Sequence, residues 1–192
     1  MAYVKQIKVE IPEATLQDLK RRVASARIAD DFANDDWSYG VNGAYLREIT
    51  DYWANDFDWA AQAAKINRYD HFKTEIDGVP IHFLMKKGKG PNPKPLILSH
   101  GWPWTFWDFQ YVIDPLSDPA AHGGDAADAF DVIVPSLPGF GLSTPLRKSG
   151  MNFWKTADLW QKLMTEVLGY KRYAAHGGDW GAMVTSQLAH KY

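Results

Sequence analysis

The stretch "AAHGGDWGAM", residues 174–183, sets one carboxylate, Asp179, among glycines where an apolar run gives way to a helical one. "YKRYAAH", residues 170–176, reads as a strand, and "AMVTSQLA", residues 182–189, reads as a helix. Between them Gly177-Gly178-Asp179-Trp180-Gly181 has the small-x-nucleophile-x-small spacing of a nucleophile elbow, with Asp where serine is usual. Such a turn is strained, and side chains two residues either side of the nucleophile would collide as strand and helix approach, so Gly177 and Gly181 fit. The helix N-terminus behind Asp179 favours the ionised carboxylate. A plain helix N-cap aspartate is the competing reading of the same residues.

Working outward, "LILSH" (96–100) and "FDVIVPS" (130–136) are short apolar runs of the kind found in buried parallel strands. Phe153, Ala157, Trp160, Met164 and Val167 mark one helix face, closed by Gly169. From about residue 96 the order is therefore strand, helix, strand, helix, strand, helix, which predicts a parallel sheet covered on both faces. Before it, "HFKTEIDGVPIHFLMKK" (71–87) predicts a hairpin around Asp77-Gly78, and "GKGPNPKP" (88–95) a loop. Three helices are expected earlier. The first carries Leu16, Leu19, Val23 and Ala26 after Pro12, and the others span about 42–55 and 58–68, capped by Asn42 and Asp58.

Composition narrows the function classes. Net charge is −2 and the basic residues are scattered, which argues against a nucleic-acid partner or an anionic membrane. The Lys86, Lys87, Lys89 cluster reads as a solvated loop. With no cysteine, the chain has no disulfide, thiolate nucleophile or cysteine-based zinc site, and a cytoplasmic location is expected. No metal site and no cofactor is assigned. Nine tryptophans suggest an aromatic-rich core or a pocket lining. Tyr39, Tyr45, Tyr52 and Tyr111 sit in patterns that packing explains.

The elbow does not stand alone. His100-Gly101-Trp102-Pro103 follows the strand "LILSH", and "PSLPGFGLS" (135–143) comes next in order. With "IPEATLQDLKRRVASAR", "YW", "FDW", "HFKTEIDG" and "LGYKRYAAHGGDWG", these motifs run through essentially the whole chain. Together they resemble the epoxide hydrolases of the α/β-hydrolase fold, of the microsomal and juvenile-hormone type with its own N-terminal domain. The resemblance implies an α/β-hydrolase fold preceded by a helical N-terminal segment and a β-hairpin, with residues 1–90 as the N-terminal region and 91–192 as the first part of the core.

It further implies Asp179 as nucleophile, the backbone N–H groups of Trp102 and Trp180 as oxyanion hole, Gly101, Gly177, Gly178 and Gly181 as loop and elbow glycines, and His100 and Pro103 as parts of the HGWP motif. A cis Trp102–Pro103 bond belongs to the same expectation. The substrate class implied is a small apolar epoxide. An aspartate nucleophile gives an ester that water can hydrolyse, which a serine attacking an alkyl carbon would not. Haloalkane dehalogenation is the alternative in the same class, although those enzymes often carry Asn where Trp102 stands. A catalytically inactive remnant serving as an interaction module is the alternative in another class.

In that family the cap tyrosines, the acid and the base histidine all follow the helix after the nucleophile, so a chain ending at Tyr192 is expected to be truncated after the elbow. His176 and His190 are poorly placed to serve as base, His100 reads as a hydrogen-bonder within its turn, and His71, His82 and His122 receive no role. The nucleophile strand is then expected to lie at a sheet edge, to be covered by a second copy of the chain or by a complementing C-terminal chain.

Overall fold

A computed structural model describes residues 3–192, which form two compact units. Val9–Ile66 make one; the segment up to Lys8 and Asn67–Tyr192 make the other. Among the described residues, no helix is long and apolar enough to cross a membrane.

The Val9–Ile66 unit is helical. α1 (Glu13–Ala24) starts after Pro12, with Glu13 in its first turn and Arg21 and Arg22 in its last, matching the helix dipole. It ends earlier than the apolar spacing suggests, so Ala26 lies beyond it and is exposed. In α2 (Gly43–Asn55), the Asn42 side chain accepts from the N–H groups of Ala44 and Tyr45. Asp58 accepts from the Ala61 N–H, 2.9 Å, at the start of α3 (Trp59–Ile66). Packing does not account for the tyrosines here. Tyr39, Tyr45 and Tyr52 are exposed, as are Phe32, Trp37 and Trp53, although the rings of Phe32 and Tyr39 and of Trp37 and Tyr45 meet each other.

The other unit is built on one six-stranded sheet: β1 (Lys5–Ile7), β2 (Asp70–Ile76), β3 (Val79–Lys86), β4 (Lys94–Ser99), β5 (Phe130–Pro135) and β6 (Ala174–Gly177), in the order β1-β2-β3-β5-β4-β6. Asp77 and Gly78 take positive φ, 52° and 73°, and turn the β2–β3 hairpin. β5, β4 and β6 are parallel, with Ile97 opposite Ile133 and Leu98 opposite His176. β3 joins β5 antiparallel, Leu84 opposite Val134, so the sheet is mixed rather than purely parallel. Lys94-Pro95, expected in a loop, already belong to β4.

The β4–β5 connection is not the single helix expected. It consists of short 3₁₀ turns around the five-residue α4 (Ile113–Ser117), because Pro103, Pro119 and Gly123-Gly124 interrupt any longer helix. α5 (Phe153–Lys162) runs on through a wide turn at Leu163–Val167, and α6 (Trp180–Lys191) follows β6.

Alternation along the central strands fills two layers. Ile81, Phe83, Ile97 and Ile133 pack with Trp160, Leu163, Met164, Val184 and Leu188 of α5, the wide turn and α6. The alternate residues Leu84, Leu96, Leu98, Val132 and Val134 are buried as well, and α4, with Ile113 fully buried, packs against β5. Each such side chain contributes about 1.5–3 kcal/mol through burial. β6 is different: Ala174, Ala175 and His176 are exposed at the sheet edge. The tryptophans do not form an aromatic core, since only Trp160 is fully buried among the described ones. Lys87 and Lys89 are exposed, as a solvated loop requires, and the lysines of the cluster also meet aspartates. Lys86 pairs with Asp114, Lys87 with Asp131 and Lys89 with Asp118, which pins the loop after β3.

Candidate active site

Asp179 stands where β6 ends and α6 begins, with φ 51° and ψ −120°. That conformation lies outside the regions open to most L-residues and costs about 1–3 kcal/mol, so the surroundings must hold it. They do so by close approach. A Cβ on Gly177 would lie 2.4 Å from the Gly181 backbone, and one on Gly181 only 1.9 Å from the Ser99 carbonyl oxygen. Strand, turn and helix thus meet at van der Waals distance on the C-terminal end of β4. Gly178 has no atom within 4 Å of a Cβ position, so space does not require glycine there.

The turn after β4 supplies the other half of the site. A Cβ on Gly101 would sit 2.6 Å from both Cβ and Oδ1 of Asp179. With glycine there, the next residue reaches across: the Trp102 N–H donates to Asp179 Oδ1 at 2.9 Å. The hydrogen bond from the Trp102 N–H, followed by that from the Trp180 N–H, lowers the Asp179 pKa from its ordinary value, against a small opposing effect of burial. Asp179 makes no side-chain capping bond to the body of α6, so it is not a plain N-cap aspartate. The carboxylate is exposed and ionised, its Oδ1 held by the Trp102 N–H, with the Trp180 N–H also bonded to the group.

His100 is a strut for this arrangement. It is buried, its Nε2 accepts from the Leu137 N–H at 3.0 Å, and its Nδ1 therefore carries the proton donated to the Gly101 carbonyl at 2.9 Å. Burial lowers its pKa, outweighing the opposing effects of the Gly101 carbonyl and Asp108. The Trp102–Pro103 bond is cis. The side chains of Trp102 and Trp180, whose N–H groups meet the carboxylate, are open to solvent, as is that of Trp104, while the Phe140 ring meets both His100 (5.7 Å between centroids) and Trp180 (6.3 Å). Phe106 instead belongs to the interior. His176 on β6 and His190 on α6 are exposed.

The buried pair His71 and His82 was not anticipated from the sequence. Its rings stack in the β2–β3 hairpin with Nδ1 of one 3.0 Å from Nε2 of the other. A signal was present: once Ile76 faces Val79 across the turn, the register sets these two histidines diagonally on one face.

Two family models match this chain: "Epoxide hydrolase N terminus" over residues 4–109 and "alpha/beta hydrolase fold" over residues 94–192. The chain belongs to the epoxide hydrolase family of the α/β-hydrolase fold. It is similar to Epoxide hydrolase 1 of Oryctolagus cuniculus, 40% identical over 190 residues, which are 97% of this chain and 42% of that one. Among solved structures it is similar to the juvenile hormone epoxide hydrolase of Bombyx mori, with TM-score 0.85 and 31% identity over 100% of this chain and 50% of the other. The Aspergillus niger epoxide hydrolase gives TM-score 0.85 and 28% identity, over 99% and 50%. The chain spans about 40% of the length of the curated relatives it matches.

Proposed function

We propose that this chain carries the nucleophile and oxyanion hole of an epoxide hydrolase that opens an apolar epoxide to a vicinal diol through a covalent ester at Asp179. The observation supporting this most directly is the 2.9 Å hydrogen bond from the Trp102 N–H to Asp179 Oδ1 across the elbow. With Oδ1 so held, Oδ2 is the attacking atom. It forms a bond to a ring carbon as the ring C–O bond breaks, and the departing alkoxide takes a proton from an acid.

Water then adds to the ester carbonyl carbon and passes its proton to a base. The negative charge develops on the former Oδ1, where the Trp102 and Trp180 amides meet it, each such donor being worth about 2.7–4 kcal/mol in this class of site. Collapse releases the diol and restores the carboxylate. We assign the acid and base roles to no residue of this chain. The exposed indoles of Trp102, Trp104 and Trp180 suit an apolar epoxide. Residues 1–90 are read as the family's N-terminal region and 91–192 as the first part of its core, and the cysteine-free composition of this chain suits a reducing, cytoplasmic location.

Intact mass after incubation with styrene oxide tests the reading. One epoxide mass should add to the wild-type chain and not to Asp179→Asn. Equal labelling of the two proteins would overturn it, and labelling by an alkyl bromide but not by the epoxide would favour halide displacement instead.

A further inference from the structure

Behind the HGWP turn lies a buried polar network with no part in the chemistry above. His71 and His82 are at most 1% exposed, and the Phe106 ring packs edge-on against both, 5.6 and 4.8 Å between centroids. His82 grips both ends of the loop 136–143. Its Nδ1 is 2.9 Å from Ser136 Oγ, its carbonyl accepts from the Ser136 N–H at 2.9 Å, and its N–H donates to Ser143 Oγ at 2.9 Å. The Ser143 hydroxyl in turn donates to the Ser136 carbonyl at 2.7 Å, closing the loop on itself.

That loop is what holds His100. Its Leu137 N–H is the partner of His100 Nε2, and its Phe140 ring lies against His100 and Trp180. His100 fixes the Gly101 carbonyl, and the peptide after Gly101 carries the N–H that meets Asp179. The contacts therefore run without a break from the hairpin to the nucleophile. Burying several polar side chains beside Phe106 is costly unless all are satisfied, and a satisfied network rigidifies what it joins.

We propose that His82, backed by His71 and working through Ser136 and Ser143, is a positioning residue for the oxyanion hole, fixing the 136–143 loop so that His100 holds the Trp102 N–H on Asp179. His82 acts in its neutral form, since burial, then the neighbouring His71 and Lys73, push its pKa down to about 3. One ring nitrogen then donates while the other accepts, which gives the His71–His82–Ser136 chain a defined polarity. The identity of the nucleophile rests on the proposed function; the positioning itself does not.

The test is the Asp179 titration midpoint in the 192-residue chain, followed by NMR of [4-¹³C]aspartate and assigned by loss of the signal in Asp179→Asn. In the wild type it should lie below the usual value of about 3.9. His82→Ala and the milder Ser136→Ala should raise it by about 0.5 unit or more as the Trp102 bond loosens. His82→Asn, which keeps a hydrogen-bonding group near the Nδ1 position, should restore it. A folded Ser136→Ala or His82→Ala protein with an unchanged midpoint would overturn the positioning role, even if styrene oxide still labels Asp179. A midpoint that moves as described in a protein that never forms the adduct would uphold the positioning role and remove the nucleophile instead.

Discussion

The centre of the sheet and its β6 edge do opposite things for the site. β3, β5 and β4 are buried on both faces, and β4 and β5 lead into Ser99-His100 and Ser136, all at most 1% exposed. β6 is four exposed or half-buried residues, yet it delivers Asp179. The carboxylate is therefore precise because of what it leans on. The Ser99 carbonyl limits Gly181, Gly101 abuts the Asp179 side chain, and Trp102 bonds to it. An exposed carboxylate on a thin edge is kept in a strained conformation by a rigid centre.

Substitutions can break this contrast, the largest effect being expected where edge meets centre. Gly181→Val drives a side chain into the Ser99 carbonyl and should cost about 4 kcal/mol or more, or leave no folded protein, in urea unfolding followed by tryptophan fluorescence. Ile133→Ala, at the centre of the core, should cost about 3 kcal/mol in the same assay. Asp131→Asn comes next, at about 1–2 kcal/mol. That carboxylate is held by Tyr170 Oη–H, the Gly88 N–H and Lys87, which together outweigh its desolvation and lower its pKa. Its contribution is fully present above the unfolded value of about 3.9 and is lost as pH falls below it.

Histidine linkage acts at higher pH. His82 and His100 have pKa values below the unfolded value of about 6.5, so below that pH the unfolded chain binds protons that the folded one does not. Stability is full above about 6.5 and should fall as pH drops below it, by up to about 1.4 kcal/mol per pH unit for each histidine still neutral in the folded state, the His82 contribution running down to about pH 3. Urea midpoints from pH 7 to 5 that stay flat would contradict this. The smallest effects belong to the edge itself: Gly178→Ala and Ala175→Thr should each lie within about 0.5 kcal/mol of wild type.

What the sequence disclosed follows the range of the forces involved. The Asp77-Gly78 turn, the caps at Asn42 and Asp58 and the Gly177–Gly181 spacing are local, so they were legible. The pairing of β3 with β5 was not, because antiparallel joining of a hairpin to a parallel set depends on distant partners. Local pattern also missed absent cover and distant partners. The α2 tyrosines have helical spacing but no covering layer within their unit, and Lys86, Lys87 and Lys89 find aspartates 28 to 44 residues away. At the site, Asp179, Gly101 and His100 were read from motifs, whereas His82 reached the site only through Ser136 and Leu137, a chain of contacts that no spacing encodes.

The most direct test of the account is to map the styrene oxide adduct by tandem mass spectrometry on the peptide spanning Asp179 and then treat it with hydroxylamine. The account predicts one adduct, on Asp179, released as an ester. An adduct on another residue, or one at Asp179 that resists hydroxylamine, would contradict it.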